Sequence, residues 1–111
     1  MAESVEAAVE WVYLTASSEE EALGLARVVL DEKLAACVNL LGGVRSLYKW
    51  EGKLCDEQEV AMVAKTTSCR AAALMVRLHE LHSYETPCIL TFKAHRAQAL
   101  FSSWVASQVE A

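Results

Sequence analysis

The side chains best equipped for chemistry in this chain are four cysteines and three histidines. A thiolate and a neutral imidazole are suitable donors for copper or zinc, and His79 and His82, at i and i+3, would be neighbours on a helix. His82 and Cys37 are accordingly the candidate metal ligands, each with a structural alternative. Cys37, Cys55, Cys69 and Cys88 include no Cys-x-x-Cys pair to fix a tetrahedral site, and the apolar neighbours of Cys37 also suit a core thiol.

A second constellation combines Lys65 with Trp50, Glu59, Tyr84 and Glu85. A lysine closing an apolar strand can hold a carboxylate or another anionic ligand, so these residues are candidates for a cleft at a subunit boundary. The alternative is a buried ion pair between subunits that sets their orientation. An enzyme built on Cys37 or Cys55 would need a histidine base within hydrogen-bond reach and a group to orient it. No local signature brings these together, and Gly-rich phosphate loops, His-Glu-x-x-His and Gly-x-Ser-x-Gly are all missing. The chain therefore reads as a non-enzymatic protein. Cys55, beside Gly52 and Asp56, is expected in a loop as the most exposed thiol.

The elements that must position these groups follow from periodicity. Val9, Trp11, Tyr13 and Thr15 alternate with Ala8, Glu10, Val12 and Leu14 as a first strand. Ser17-Ser18-Glu19-Glu20-Glu21 opens a helix that Ser18 can cap, with Glu21 reaching back and the acids at the positive helix end. Its apolar stripe is Ala22, Leu25, Ala26, Val29 and Leu34, with Leu30 beside them, and its end falls near Lys33. Ala36 to Leu41 is a second strand, bent or bulged at Gly42-Gly43, and Val44 to Trp50 resumes it. After a turn at Glu51-Gly52-Lys53, the third strand runs from Val60 to Thr66.

Arg70 to His82 is a second helix, with Ser68 as its cap and Ala71, Leu74, Met75, Leu78 and Leu81 as its buried side. Pro87 holds Thr86 extended and lets a last strand run from Cys88 to Lys93. Ala97, Leu100, Phe101, Trp104 and Val105 mark an amphipathic C-terminal helix, with Phe101 and Trp104 in the core. The order is βαββαβ plus a helix: an α+β chain of split βαβ type, with an antiparallel sheet and two helices on one face. Residues 1–7 read as a mobile arm, and 8–111 as one domain.

Tyr48 and Trp50 share a face of the long hairpin with Val44 and Ser46, and one small domain can hardly cover those rings. Hydrophobic residues make up 54% of the chain, high for 111 residues, which places some of that surface between subunits. Tyr48 and Trp50 are the expected anchors. The formal charge of −5, without any cluster of basic residues, argues against nucleic acid as a partner. No apolar run reaches the roughly 18 residues of a membrane span. A soluble, cytoplasmic protein with free thiols is expected.

These pieces resemble the CutA family, whose members are linked by name to divalent-cation tolerance. The resemblance rests on Thr15-Ala16, Glu32 through Asn39, Ser46 through Lys53, Glu59, Lys65-Thr66 and His82 through Pro87, and it covers nearly the whole chain. It implies a ferredoxin-like subunit in a tight homotrimer, whose hairpin reaches across to neighbouring subunits. It also implies a role in tolerance of divalent cations, copper above all. The family's likeness in architecture to the PII signalling proteins suggests a second role, sensing a small organic ligand in inter-subunit clefts.

The chain departs from the family pattern at several positions. Leu14 stands where some members carry a cysteine discussed as a copper or mercury ligand. Ser83 replaces a proline, and Cys88 replaces the glutamate after Pro87. Ala94-His95-Arg96-Ala97 takes the place of a Pro-containing turn, and Phe101 that of a common tyrosine.

Overall fold

Strict alternation along β1 (Val9–Ala16) sorts its side chains between two environments. Val12, Leu14 and Ala16 turn into a core shared with the helices, whereas Trp11 and Tyr13 lie on the opposite sheet face. The computed structural model describes residues 8–110, so the N-terminal arm expected over 1–7 lies outside the described residues.

Helix α1 (Glu19–Asp31) starts as its sequence dictates: Ser18 is extended, and its Oγ accepts the Glu21 N–H at 3.1 Å. Glu21 reaches back one residue further than a simple capping box, accepting from the N–H and hydroxyl of Ser17 at 2.9 and 2.7 Å. The helix stops at Asp31 rather than Lys33, which takes a left-handed φ of 60°. Ala22, Leu25, Ala26 and Val29 are buried, while Leu30 is exposed.

Strands β2 (Cys37–Trp50) and β3 (Lys53–Thr67) form one long antiparallel hairpin. Its two-residue turn puts Glu51 at φ 52° and Gly52 at φ 80°, the left-handed pair that matches strand twist. Leu41 is an extra residue between the pairs Leu40–Met62 and Gly42–Ala61, and Gly42 absorbs the distortion at φ 106°. The bulge changes the parity of β2. Cys37 and Asn39 before it, and Ser46, Tyr48 and Trp50 after it, therefore all lie on the sheet face away from the helices. β3 starts seven residues earlier than Val60, because its polar first half pairs with β2 all the way to the turn.

Helix α2 (Ser68–Leu81) begins at Ser68, with Thr67 in the cap position, so Ser68 is not the cap; its hydroxyl is buried without a hydrogen-bond partner. Strand β4 (Ile89–Lys93) pairs with β1, giving the sheet order β2-β3-β1-β4, antiparallel throughout. This is the α+β, ferredoxin-like split βαβ arrangement: α1 and α2 cover one face around Leu14, Met62, Leu74 and Leu78.

Helix α3 (Ala99–Val109) sits elsewhere, burying Val105 and Val109 against Val9 and Ala36. The Nε of Arg70 donates to the Val109 carbonyl at 2.8 Å and ties its end to α2. Phe101, at 36% exposure, and Trp104, at 42%, are not the core residues expected, and Leu100 is 77% exposed. This helix is apolar on nearly every side, so its periodicity did not mark the buried one. No helix among the described residues is long and apolar enough to cross a membrane.

Candidate functional site

Where the hairpin leaves the sheet, a groove of about 790 Å³ opens between its aromatic face and the segment after α2. Tyr13 and Thr15 of β1 form its floor, Tyr48, Trp50, Cys55 and Glu59 its hairpin side, and Tyr84, Glu85 and Cys88 its loop side. Four of the five residues expected to share a cleft, Trp50, Glu59, Tyr84 and Glu85, do line one groove.

Lys65 does not. It lies six positions along β3 from Glu59, about 20 Å of extended chain. Its Nζ stands 5.8 Å from the ring centres of both Trp11 and Phe101, at a separate pocket. Within one chain, therefore, Lys65 and Glu59 line different pockets.

Glu59 is buried, only 7% exposed, and accepts a 2.8 Å hydrogen bond from the Tyr84 hydroxyl. Burial, and then the neighbouring Glu59 carboxylate, push the Tyr84 phenol far above its usual range, so it stays protonated and donates. Among the described residues Glu59 has no ion-pair partner. A cation placed beside this buried oxygen pair would be attracted to it.

His82 closes α2, and its side chain is fully buried. Its Nε2–H donates to the Thr15 carbonyl at 2.7 Å, while Nδ1 accepts the Tyr84 N–H at 3.0 Å. These roles fix the neutral Nε2–H tautomer and leave no ring lone pair for an ion. Glu21 lies beside it, with Oε2 at 3.7 Å from Nδ1 and accepting the Ser83 N–H at 2.8 Å. Burial works against the charge of Glu21, but hydrogen bonds from Ser17 and Ser83 outweigh it and lower its pKa from 4.5 to about 2. The capping pattern announces Glu21; its grip on the loop that carries Tyr84 had no signal in the sequence.

Cys37 is half-buried on the sheet face away from the helices, opposite Lys65, and is not a core thiol. It stands level with Trp11, four residues along β1 from the Thr15 carbonyl that holds His82, so about 13 Å of strand alone separates them. The fold does not bring the two candidate metal ligands together. Among the described residues no three His, Cys, Asp or Glu side chains converge as a metal site. Cys55, expected in a loop, instead pairs with Tyr48 inside the hairpin and is half-buried, whereas Cys69 and Cys88 are exposed.

Comparison with known proteins agrees with this architecture. A family model described as CutA1 divalent ion tolerance protein matches residues 10–108. A divalent-cation tolerance protein CutA of Archaeoglobus fulgidus is 40% identical over 100 residues, covering 90% of this chain and 97% of that protein. Its namesake from Citrobacter koseri is 46% identical over 94 residues, covering 85% and 82%. The solved structure of the periplasmic divalent cation tolerance protein CutA from A. fulgidus superposes with a TM-score of 0.88 at 39% identity, over 92% of this chain and 99% of that one. With the fold, the hairpin and nearly the full length matched, the chain belongs to the CutA1 divalent ion tolerance family.

Proposed function

We propose that the chain is a non-enzymatic, homotrimeric protein of divalent-cation tolerance that works in the cytoplasm. In this reading it binds copper or another divalent ion weakly at the groove beneath its hairpin. The observation that carries the reading is Glu59, an acid buried in that groove without a cation of its own among the described residues. Glu85, Cys55 and Cys88 add carboxylate and thiol donors around the same groove. Because no three donors converge among the described residues of one chain, a neighbouring copy completes the site. His82 serves to hold the loop that carries Tyr84, and Tyr48 and Trp50 anchor the trimer.

The assembly is supported by apolar surface on both sides of the hairpin: Leu47, Trp50 and Leu54 are 61%, 48% and 69% exposed. Four unpaired cysteines fit a reducing compartment. Calorimetric titration of the assembled protein with Cu²⁺ and Zn²⁺ tests the metal site. Saturable binding that falls at least about tenfold in Glu59→Gln is expected, since the charge is the principal attraction. Unchanged binding in that variant would remove the site.

A second reading, a PII-like sensor of a small organic molecule, is favoured by the four aromatic rings of Tyr13, Tyr48, Trp50 and Tyr84 in a groove of this size. Saturable heat from a mixed metabolite pool, with the protein kept metal-free, would select it over the first.

A further inference from the structure

A second pocket, of about 470 Å³, lies at the other end of the sheet and belongs to neither reading above. Trp11, Phe92 and Phe101 are among its walls, and Lys65, Lys93 and Arg96 its charged groups. Among the described residues no acidic side chain lines it, in a chain whose acids outnumber its bases by fifteen to ten. Among the described residues, none of the three cations is in an ion pair.

Lys65 is the central feature. It is half-buried on β3, with its ammonium 5.8 Å from the ring centres of both Trp11 and Phe101. The ring faces attract the cation without neutralising it, so its charge remains available to an anion. β1 and β3 place Trp11 directly opposite Lys65, and β4 sets Phe92 on the other side of Trp11. Gln98 caps α3 through the Phe101 N–H at 2.8 Å and so fixes the turn that presents Phe101.

We infer that this pocket binds an aromatic carboxylate, its ring lying against Trp11, Phe92 and Phe101 and its charge meeting Lys65 and Arg96. The volume suits a small organic molecule, and rings of this type favour offset or edge-on contact with a flat ligand. A carboxylate facing an ammonium and a guanidinium gains charge-assisted hydrogen bonds at sites partly shielded from water. A bare metal ion is repelled by the same groups.

The test is calorimetric titration of the assembled, metal-free protein with 2-naphthoate, and with neutral 2-naphthamide for comparison. The expected result is one saturable site per chain for naphthoate, with the amide at least about tenfold weaker, since the missing charge removes the strongest contacts. Lys65→Met should weaken naphthoate by a similar factor, Arg96→Gln by several-fold, and Lys65→Arg should retain most of the binding. Lys49→Gln, near the hairpin tip, should change nothing. Arg96 is exposed, so its variant keeps the test valid even where Lys65→Met does not fold. Equal affinity for acid and amide, or naphthoate binding insensitive to both Lys65→Met and Arg96→Gln, would overturn the inference.

Discussion

The Tyr84 hydroxyl donates a 2.8 Å hydrogen bond to the buried carboxylate of Glu59, joining the loop after α2 to the root of the long hairpin. Because the loop is itself held from behind by His82 and Glu21, the groove is walled on that side by a braced segment. Removing the hydroxyl takes from this buried carboxyl group its hydrogen-bond donor among the described residues. Tyr84→Phe should therefore destabilise the protein by about 1–3 kcal/mol. Urea unfolding at fixed protein concentration checks this, and an unchanged midpoint would count against the contact.

His82 offers a different test, because both ring nitrogens are committed to backbone groups. His82→Ala should lower the thermal midpoint while leaving the stoichiometry of Cu²⁺ binding as it was. Cys37→Ser should also leave that stoichiometry intact. Loss of bound copper from a folded His82→Ala protein would restore the histidine as a ligand.

Glu21 sets a pH dependence whose sign is determined by its lowered pKa of about 2. The folded state binds this proton more weakly than the unfolded chain does. The stabilisation is thus complete above the ordinary carboxyl value of 4.5 and is lost as pH falls from there through about 2. Discounted for its partial contact with solvent, the contribution is on the order of 2 kcal/mol. Glu21→Gln should lose that amount at neutral pH and flatten the acid limb of the stability profile, as followed by circular dichroism. A variant with the same acid limb as the parent would show that the carboxylate is not responsible.

The bulge at Leu41 is open to a register experiment. Deleting Leu41 removes only the extra residue, so Leu40–Met62 and Gly42–Ala61 become consecutive pairs of a regular ladder, and Cys37, Asn39, Tyr48 and Trp50 all keep their faces. The expected outcome is a chain that still self-associates through its aromatic face, measured by light scattering. Loss of assembly in the deletion variant would mean that the bend at the bulge, and not the aromatic face alone, is required for it.

Much of this architecture was legible in the residues, and the failures have physical causes. Ser18 and the acids after it announce α1, and Gly52 announces the hairpin turn, because capping and left-handed turns depend on chemistry within a few residues. The parity of Tyr48 and Trp50 is legible for the same reason. Lys65 and Glu59 could share a cleft only if the chain turned between them, whereas β3 runs unbroken from Lys53 to Thr67 and holds them about 20 Å apart. The polar first half of β3 resembles a loop because both its faces lie beyond the helices. For α3, an apolar surface all round leaves the choice of buried side to tertiary contacts with Val9 and Ala36.

The central claim, that copies of this chain cover one another's hairpins, is tested most directly by sedimentation equilibrium at micromolar protein. The expected species has three times the 12.2 kDa mass of the chain. Trp50→Ala, which removes a half-exposed ring from the hairpin face, should shift the equilibrium toward smaller species by about 2 kcal/mol. A folded species of 12.2 kDa at that concentration would contradict the claim.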